Sequence, residues 1–241
     1  MIVLAVDTSS GQGSLAVLRQ GSPPEVVELP PGQHSTTLHR EIIGLLERCH
    51  LRLSDVTGYA VTTGPGPFTA VRVGLTAVLG LAEAQGKPVV AVSSLETLAS
   101  AALWKAGTSL EAHGTKSVPW LLAPLLDARR GQIFGAVYQC DGDGWRLLME
   151  QTVCSLEAFL QRLQEKQFPE LYFCATEMER FSPQIEKMGW GGSAMIGVSP
   201  QLADALAREA LQRLRKGQGV SAAATDANYV RPSDAEVFWK E

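Results

Sequence analysis

The chain has 241 residues, of which 45% are hydrophobic and 19% charged, with a formal net charge of −4 at pH 7. That balance predicts a soluble globular protein with enough chain for two modest cores, and it excludes a global basic field that would hold a polyanion. No apolar run approaches the roughly 20 residues of a membrane helix, and the opening M-I-V-L-A-V-D-T carries no basic leader, so a cytoplasmic protein without membrane contact is expected. The cysteines, Cys49, Cys140, Cys154 and Cys174, form no C-x-x-C pair, which argues for free thiols rather than a zinc site or a disulfide framework.

Ile2 to Val6 is a continuous apolar run that predicts a buried strand, ending in the polar turn Asp7-Thr8-Ser9-Ser10. Ser14 to Leu18 and Glu25 to Leu29 complete a three-stranded antiparallel meander. A helix over Ser35 to His50 follows, with Leu38, Ile42, Ile43, Leu45, Leu46 and Cys49 at helical spacing and Ser35 as its expected N-cap. His34 and His39 are five apart, about 140° around an ideal helix, and make a poor chelating pair. A strand at Gly58 to Thr63 runs into Gly64-Pro65-Gly66-Pro67, a stiff extended turn that delivers the chain to a helix over Phe68 to Gln85.

Val71, Leu75, Val78, Leu79 and Ala82 mark the buried stripe of that second helix. Ala70, Gly74, Ala77 and Gly80 are small enough to admit a close neighbour. Gly86 stops the helix and Pro88 follows it. Val89 to Val92 is a further strand, and Ser94 is expected to cap a helix over Leu95 to Lys105. Gly107 to Ser117 is polar and aperiodic and predicts a linker, with an exposed His113. The expected organisation is an N-terminal lobe over 1–106 and a smaller C-terminal lobe over 118–200. A C-terminal helix and tail over 201–241 would pack back on the N-terminal lobe.

The second half repeats the order with strands at Trp120 to Asp127, Ile133 to Gln139 and Trp145 to Gln151, the last two joined by a turn at Asp141 to Gly144. A helix follows, with Leu156, Phe159, Leu160 and Leu163 on one face. Next come a strand at Leu171 to Cys174, a short helix at Pro183 to Met188, a strand at Ala194 to Val198 and a helix over Gln201 to Lys216. The order β-β-β-α-β-α-β-α, then a shortened version of it, predicts an α/β chain of duplicated ββαβαβα units. That is the actin-like fold of actin, hexokinase and the Hsp70 ATPase domain, related to the ribonuclease H fold. A plain doubly wound α/β sheet is the alternative.

Three places could carry chemistry. Asp7, Thr8 and Ser9 occupy the first hairpin, where an actin-like fold holds phosphate. Gly64, Gly66, Thr69 and Arg72 surround a helix N-terminus, whose free N–H groups and dipole favour an anion. Asp127-Ala128-Arg129-Arg130-Gly131 joins a carboxylate to guanidinium groups at the second meander. No phosphate-binding G-x-x-x-x-G-K-[ST] loop, H-E-x-x-H or G-x-S-x-G occurs. No catalytic residue, metal ligand or cofactor is therefore assigned.

The stretch V-T-T-G-P-G-P-F-T-A-V-R-V-G resembles the G-P-G-S-F-T-G-L-R-I-G motif of the bacterial TsaB (YeaZ) family. L-A-V-D-T-S, the H-S-x-x-L from His34, G-K-P-V-V-A-V-S-S-L, D-A-R-R-G-Q and the late Y-V-R-P match it too. Pro67 and Ala70 stand where the family usually has Ser and Gly. The resemblance implies an actin-like two-lobed fold and a non-catalytic subunit in the synthesis of threonylcarbamoyladenosine on tRNA, at the adenosine beside the anticodon. It implies pairing with a TsaD-like transferase, joined by a TsaE-like ATPase, with tRNA met only through the complex and a homodimer in isolation. The pairing surface would come from the first two long helices, here through Leu38, Ile42, Leu45, Ala70, Gly74, Ala77 and Val78. The alternatives are a glycoprotease-like peptidase and a sugar-kinase-like ATPase.

Overall fold

The computed structural model describes residues 1–106, 119–141, 144–168, 170–228 and 230. The expected linker with His113, the middle of the Asp141–Gly144 turn and all of Y-V-R-P except Val230 lie outside them. The chain divides into two compact units, Met1–Thr97 with the segment from Pro200, and Leu98–Ser199.

The first unit is built on one sheet ordered β3-β2-β1-β4-β5. Its strands are β1 (Ile2–Asp7), β2 (Ser14–Arg19), β3 (Glu25–Glu28), β4 (Gly58–Thr62) and β5 (Val89–Val92). The β1–β2–β3 meander is antiparallel, while β4 and β5 add in parallel. The pleat sorts side chains by size. Leu4, Val6, Leu15, Val17, Tyr59 and Val61 face α1 (His34–Arg48) and α2 (Phe68–Gln85) in one core. Val3, Ala5, Ala16 and Ala60 face the other way, toward α6 (Ala203–Arg215). There Ala203, Ala207 and Ala210 meet the sheet's own alanines, so helix and sheet approach closely. The N-terminal turn of α6 is fixed by Ser14, whose Oγ accepts from the Ala203 N–H at 3.0 Å.

The second unit carries a sheet ordered β10-β9-β6-β7-β8, the same order as the first. Its strands are β6 (Trp120–Arg129), β7 (Gln132–Asp141), β8 (Gly144–Ser155), β9 (Tyr172–Ala175) and β10 (Ala194–Gly197). Its core gathers Leu125, Ile133, Val137 and Phe173 under α4 (Leu156–Lys166) and α5 (Met178–Ile185). Gly135 is where Phe159 crosses the sheet, since a Cβ there would lie 2.8 Å from the ring.

The duplicated actin-like order is thus present in both halves, and the second is not shortened. Its meander strands run 10, 10 and 12 residues against 6, 6 and 4 in the first. The boundary between units falls inside α3 (Ser94–Lys105), after Thr97, rather than in the polar segment the sequence offers.

Two expected caps shift by a residue or two. Gln33, not Ser35, precedes α1, and the hydroxyls of Thr36 and Thr37 donate to its carbonyl. At α3 the Oγ of Ser93, not Ser94, accepts from the Leu95 N–H at 3.2 Å, and Ser94 is fully buried. Gly86 does end α2, in the left-handed conformation.

Candidate functional site

The Gly-Pro-Gly-Pro turn lies directly on the first hairpin. A Cβ at Gly66 would sit 2.3 Å from the Ser9 carbonyl oxygen, so only glycine fits. Eight residues further, inside α2, a Cβ at Gly74 would meet Thr8 Oγ1, also at 2.3 Å. That hydroxyl donates to the Ala70 carbonyl at 2.7 Å. Asp7 Oδ1 accepts from the Ser9 N–H at 3.0 Å, the Ser9 hydroxyl at 2.6 Å and the Thr62 hydroxyl at 2.8 Å. Asp7 and Thr8 are 0% exposed and Ser9 3%.

The hairpin the sequence offers as a phosphate cradle is therefore sealed. Asp7, Thr8 and Ser9 direct their hydrogen bonds into the fold, and the buried carboxylate would repel an anion. Gly64 is buried as well, with φ +102° ahead of the cis Gly64–Pro65 bond. Of the other residues singled out as anion contacts, Gly66 lies against Ser9, whereas Thr69 and Arg72 are on the exposed side of α2.

Thr69 and Arg72 line a groove of about 590 Å³ between α1 and α2, with Ser35, Thr36, Leu38, His39, Phe68, Val73, Thr76 and Ala77. The Arg72 guanidinium stacks on the Phe68 ring, 3.9 Å from its centroid. Phe68 is nonetheless 37% exposed, and Ile43, one turn beyond His39 on α1, 45%. These are two of the five large exposed hydrophobics among the described residues. Gly80, one turn beyond Thr76 and Ala77, is exposed with open space beside it.

Most of the residues the sequence assigns to a partner are turned inward. Ile42, Leu45 and Val78 are at most 1% exposed inside the first unit's core, and Leu38, at 3%, only floors the groove. A helix with one strong apolar stripe spends it on its own sheet. Gly74 is likewise committed, to Thr8. Of the residues named, Leu38 and Ala77 line the groove, and Ala70 is half-buried near the start of α2. The groove also takes in Phe68, Val73, Thr76 and His39, which the sequence does not single out, and Ile43 is exposed on the same helix as His39. The signal for Phe68, Val73, Thr76 and Ile43 is an apolar or small residue off the main stripe.

The second hairpin is built differently. Asp127 Oδ1 accepts from the Arg129 N–H at 3.0 Å, and Oδ2 pairs with Arg180 of α5 at 2.8 Å. Arg129, Arg130 and Gly131 all have positive φ, at 61°, 53° and 73°. Both arginines are exposed. Elsewhere, Cys174 is fully buried and burial pushes its thiol well above the ordinary range, which makes it inert. Among the described residues no three His, Cys, Asp or Glu side chains gather to hold a metal ion, and no helix is long and apolar enough to cross a membrane.

A family model described as TsaD, tRNA N6-adenosine threonylcarbamoyltransferase, matches residues 20–237. The chain is 31% identical over 247 residues to the tRNA threonylcarbamoyladenosine biosynthesis protein TsaB of Bacillus subtilis (strain 168), covering 100% of this chain and 99% of that protein. The solved YeaZ from Pseudomonas aeruginosa is 27% identical, with a TM-score of 0.74, over 95% of this chain and 99% of that one. The ethanolamine utilization protein EutJ from Carboxydothermus hydrogenoformans, 13% identical with a TM-score of 0.51 over 86% of this chain and 88% of that one, shares the fold alone. Similarity that runs the full length of both chains, on a fold with the same repeated sheet order, settles the family: the chain belongs to the TsaB (YeaZ) family.

Proposed function

We propose that the chain is a non-catalytic subunit in the biosynthesis of threonylcarbamoyladenosine on tRNA. It pairs through the exposed face of α1 and α2 with a TsaD-like transferase and activates it for addition of threonylcarbamoyl to the adenosine beside the anticodon. A TsaE-like ATPase joins the pair in the cytoplasm, and in isolation the same face closes a homodimer. The observation that carries this reading is the groove between α1 and α2, lined by the exposed Phe68 and the buried Leu38, with a second exposed apolar residue, Ile43, further along α1. Val73, Thr76, Ala77 and Gly80 keep α2 low along that face, so a partner helix can come close. A contact of this kind, apolar at the centre with Arg72 and His39 at the rim, has the anatomy of a protein interface. The sealed first hairpin supports the non-catalytic part, because it withdraws the polar groups that an actin-like ATPase turns toward phosphate.

Reconstitution tests the reading. Transferase, ATPase, tRNA and threonylcarbamoyl donor are combined with and without this chain. Modification that requires the chain is the expected result. Modification at the same rate without it, or threonylcarbamoyl transfer by the chain alone, overturns the reading.

A further inference from the structure

After α6 the chain is laid back across the first unit as a strap over residues 217–228. Gly219 lets it pass, since a Cβ there would lie 2.8 Å from the side chains of Leu214 and Pro88. Val220 then exchanges two backbone hydrogen bonds with Val89 of β5, at 2.8 and 2.9 Å. A short 3₁₀ turn over Ala222–Ala224 rests on α2, and the buried Ala222 joins the core cluster that holds Leu75, Val78 and Ala82 of that helix. At the far end the Asn228 N–H donates to the Thr63 carbonyl at 2.8 Å. A Cβ on Gly64 would come within 2.9 Å of the Asn228 carbonyl oxygen. Gly64 therefore admits the strap, as Gly66 admits Ser9.

The Gly-Pro-Gly-Pro turn is thus gripped by the first hairpin on one side and by the strap on the other. Among the described residues no side chain caps α2, whose N-cap is Pro67. The aim of its first turns, which carry Phe68, Thr69 and Arg72 to the groove, is then set by whatever holds the preceding turn. We propose that the strap is a positioning element for the α1–α2 face. The Asn228 bond at Thr63 and the packing of Ala222 hold α2 in the orientation that receives a partner, so less ordering is left to do when the partner arrives. The inference rests on the proposed pairing face, and it assigns part of that face's affinity to two residues that do not line the groove.

The test compares the wild-type chain with Ala222→Asp, Asn228→Pro and Ala223→Asp. The first drives a charge between strap and helix, and the second removes the N–H that reaches Thr63. The third puts the same charge on the exposed neighbour and serves as the control. Amide hydrogen exchange is followed along the chain, and affinity for a TsaD-like transferase is measured by sedimentation. In Ala222→Asp and Asn228→Pro, exchange should quicken at Val71 to Leu75 of α2 while β1 and α1 keep their protection. Pairing should weaken roughly threefold to thirtyfold. Ala223→Asp should match the wild type in both. Unchanged α2 exchange or unchanged affinity in both strap variants overturns the inference. So does exchange that quickens equally in α2, β1 and α1, which would make the strap a source of general stability alone. If Ala222→Asp does not fold, Asn228→Pro decides by the same readouts. If the wild-type chain does not pair with the transferase, it is the proposed function that fails, and the exchange pattern of the chain alone decides the strap.

Discussion

Asp7 and Asp127 stand at the same place in the two repeats, and each accepts a 3.0 Å hydrogen bond from the backbone N–H two residues on, Ser9 in one case and Arg129 in the other. Their surroundings differ. Asp7 is completely buried and also bound by two hydroxyls, whereas the Asp127 side chain is 32% exposed and meets Arg180. The same turn has become a structural plug in one lobe and an exposed basic tip in the other.

That contrast makes the two carboxylates unequal in stability. Asp7→Ala leaves three donors facing a void and should cost roughly 2–4 kcal/mol. Asp127→Ala removes a surface ion pair and should cost less than about 1 kcal/mol. Urea denaturation of both variants measures the difference; equal midpoints would show that the first hairpin is not sealed.

The seal also depends on two glycines whose replacement should fail for different reasons. At Gly66 the obstacle is the Ser9 backbone, so Gly66→Ala should cost over about 2 kcal/mol with no simple rescue. At Gly74 it is the Thr8 side chain, so Thr8→Ala should partly rescue Gly74→Ala, with a coupling of about 1 kcal/mol or more in a double-mutant cycle. Additive losses at Thr8 and Gly74 would contradict the contact.

A buried charged cluster predicts a pH effect. Arg213 of α6 pairs with Glu96 of α3, and with Glu209 at 2.8 Å. Burial pushes Glu96 above its ordinary pKa of 4.5, even with Arg213 beside it. The folded chain therefore holds this proton more tightly than the unfolded chain. Its contribution to stability is greatest below the ordinary pKa and falls as pH rises through the raised value. The stability of the wild type relative to Glu96→Gln should thus decline as pH rises from 4.5; a constant difference would contradict it. Arg213→Met, which strands two acids, should cost about 3–5 kcal/mol near neutral pH.

The sheets were legible because alternating and continuous apolar runs such as Ile2 to Val6 leave few choices of strand, and the G-P-G-P turn and Gly86 bracket α2 in plain view. The candidate surface was less so. Ile42, Leu45 and Val78 stand out on helical wheels because they build the core, so they are not presented to the groove. Exposed Phe68 and Ile43 become visible only once the stripe has been used. The plug was hidden for another reason: Gly66 reaches Ser9 across 57 positions, and local patterns carry no information about such a contact.

The central claim is the face on α1 and α2, and Thr76→Arg tests it most directly. Thr76 is exposed and lines the groove, so an arginine there leaves the fold intact while placing a charge at the centre of the contact. Sedimentation velocity with a TsaD-like transferase is expected to show a tight heterodimer for the wild type. For the variant it should show affinity weakened by about a hundredfold or more, at unchanged thermal stability. Equal affinity for wild type and variant would contradict the account.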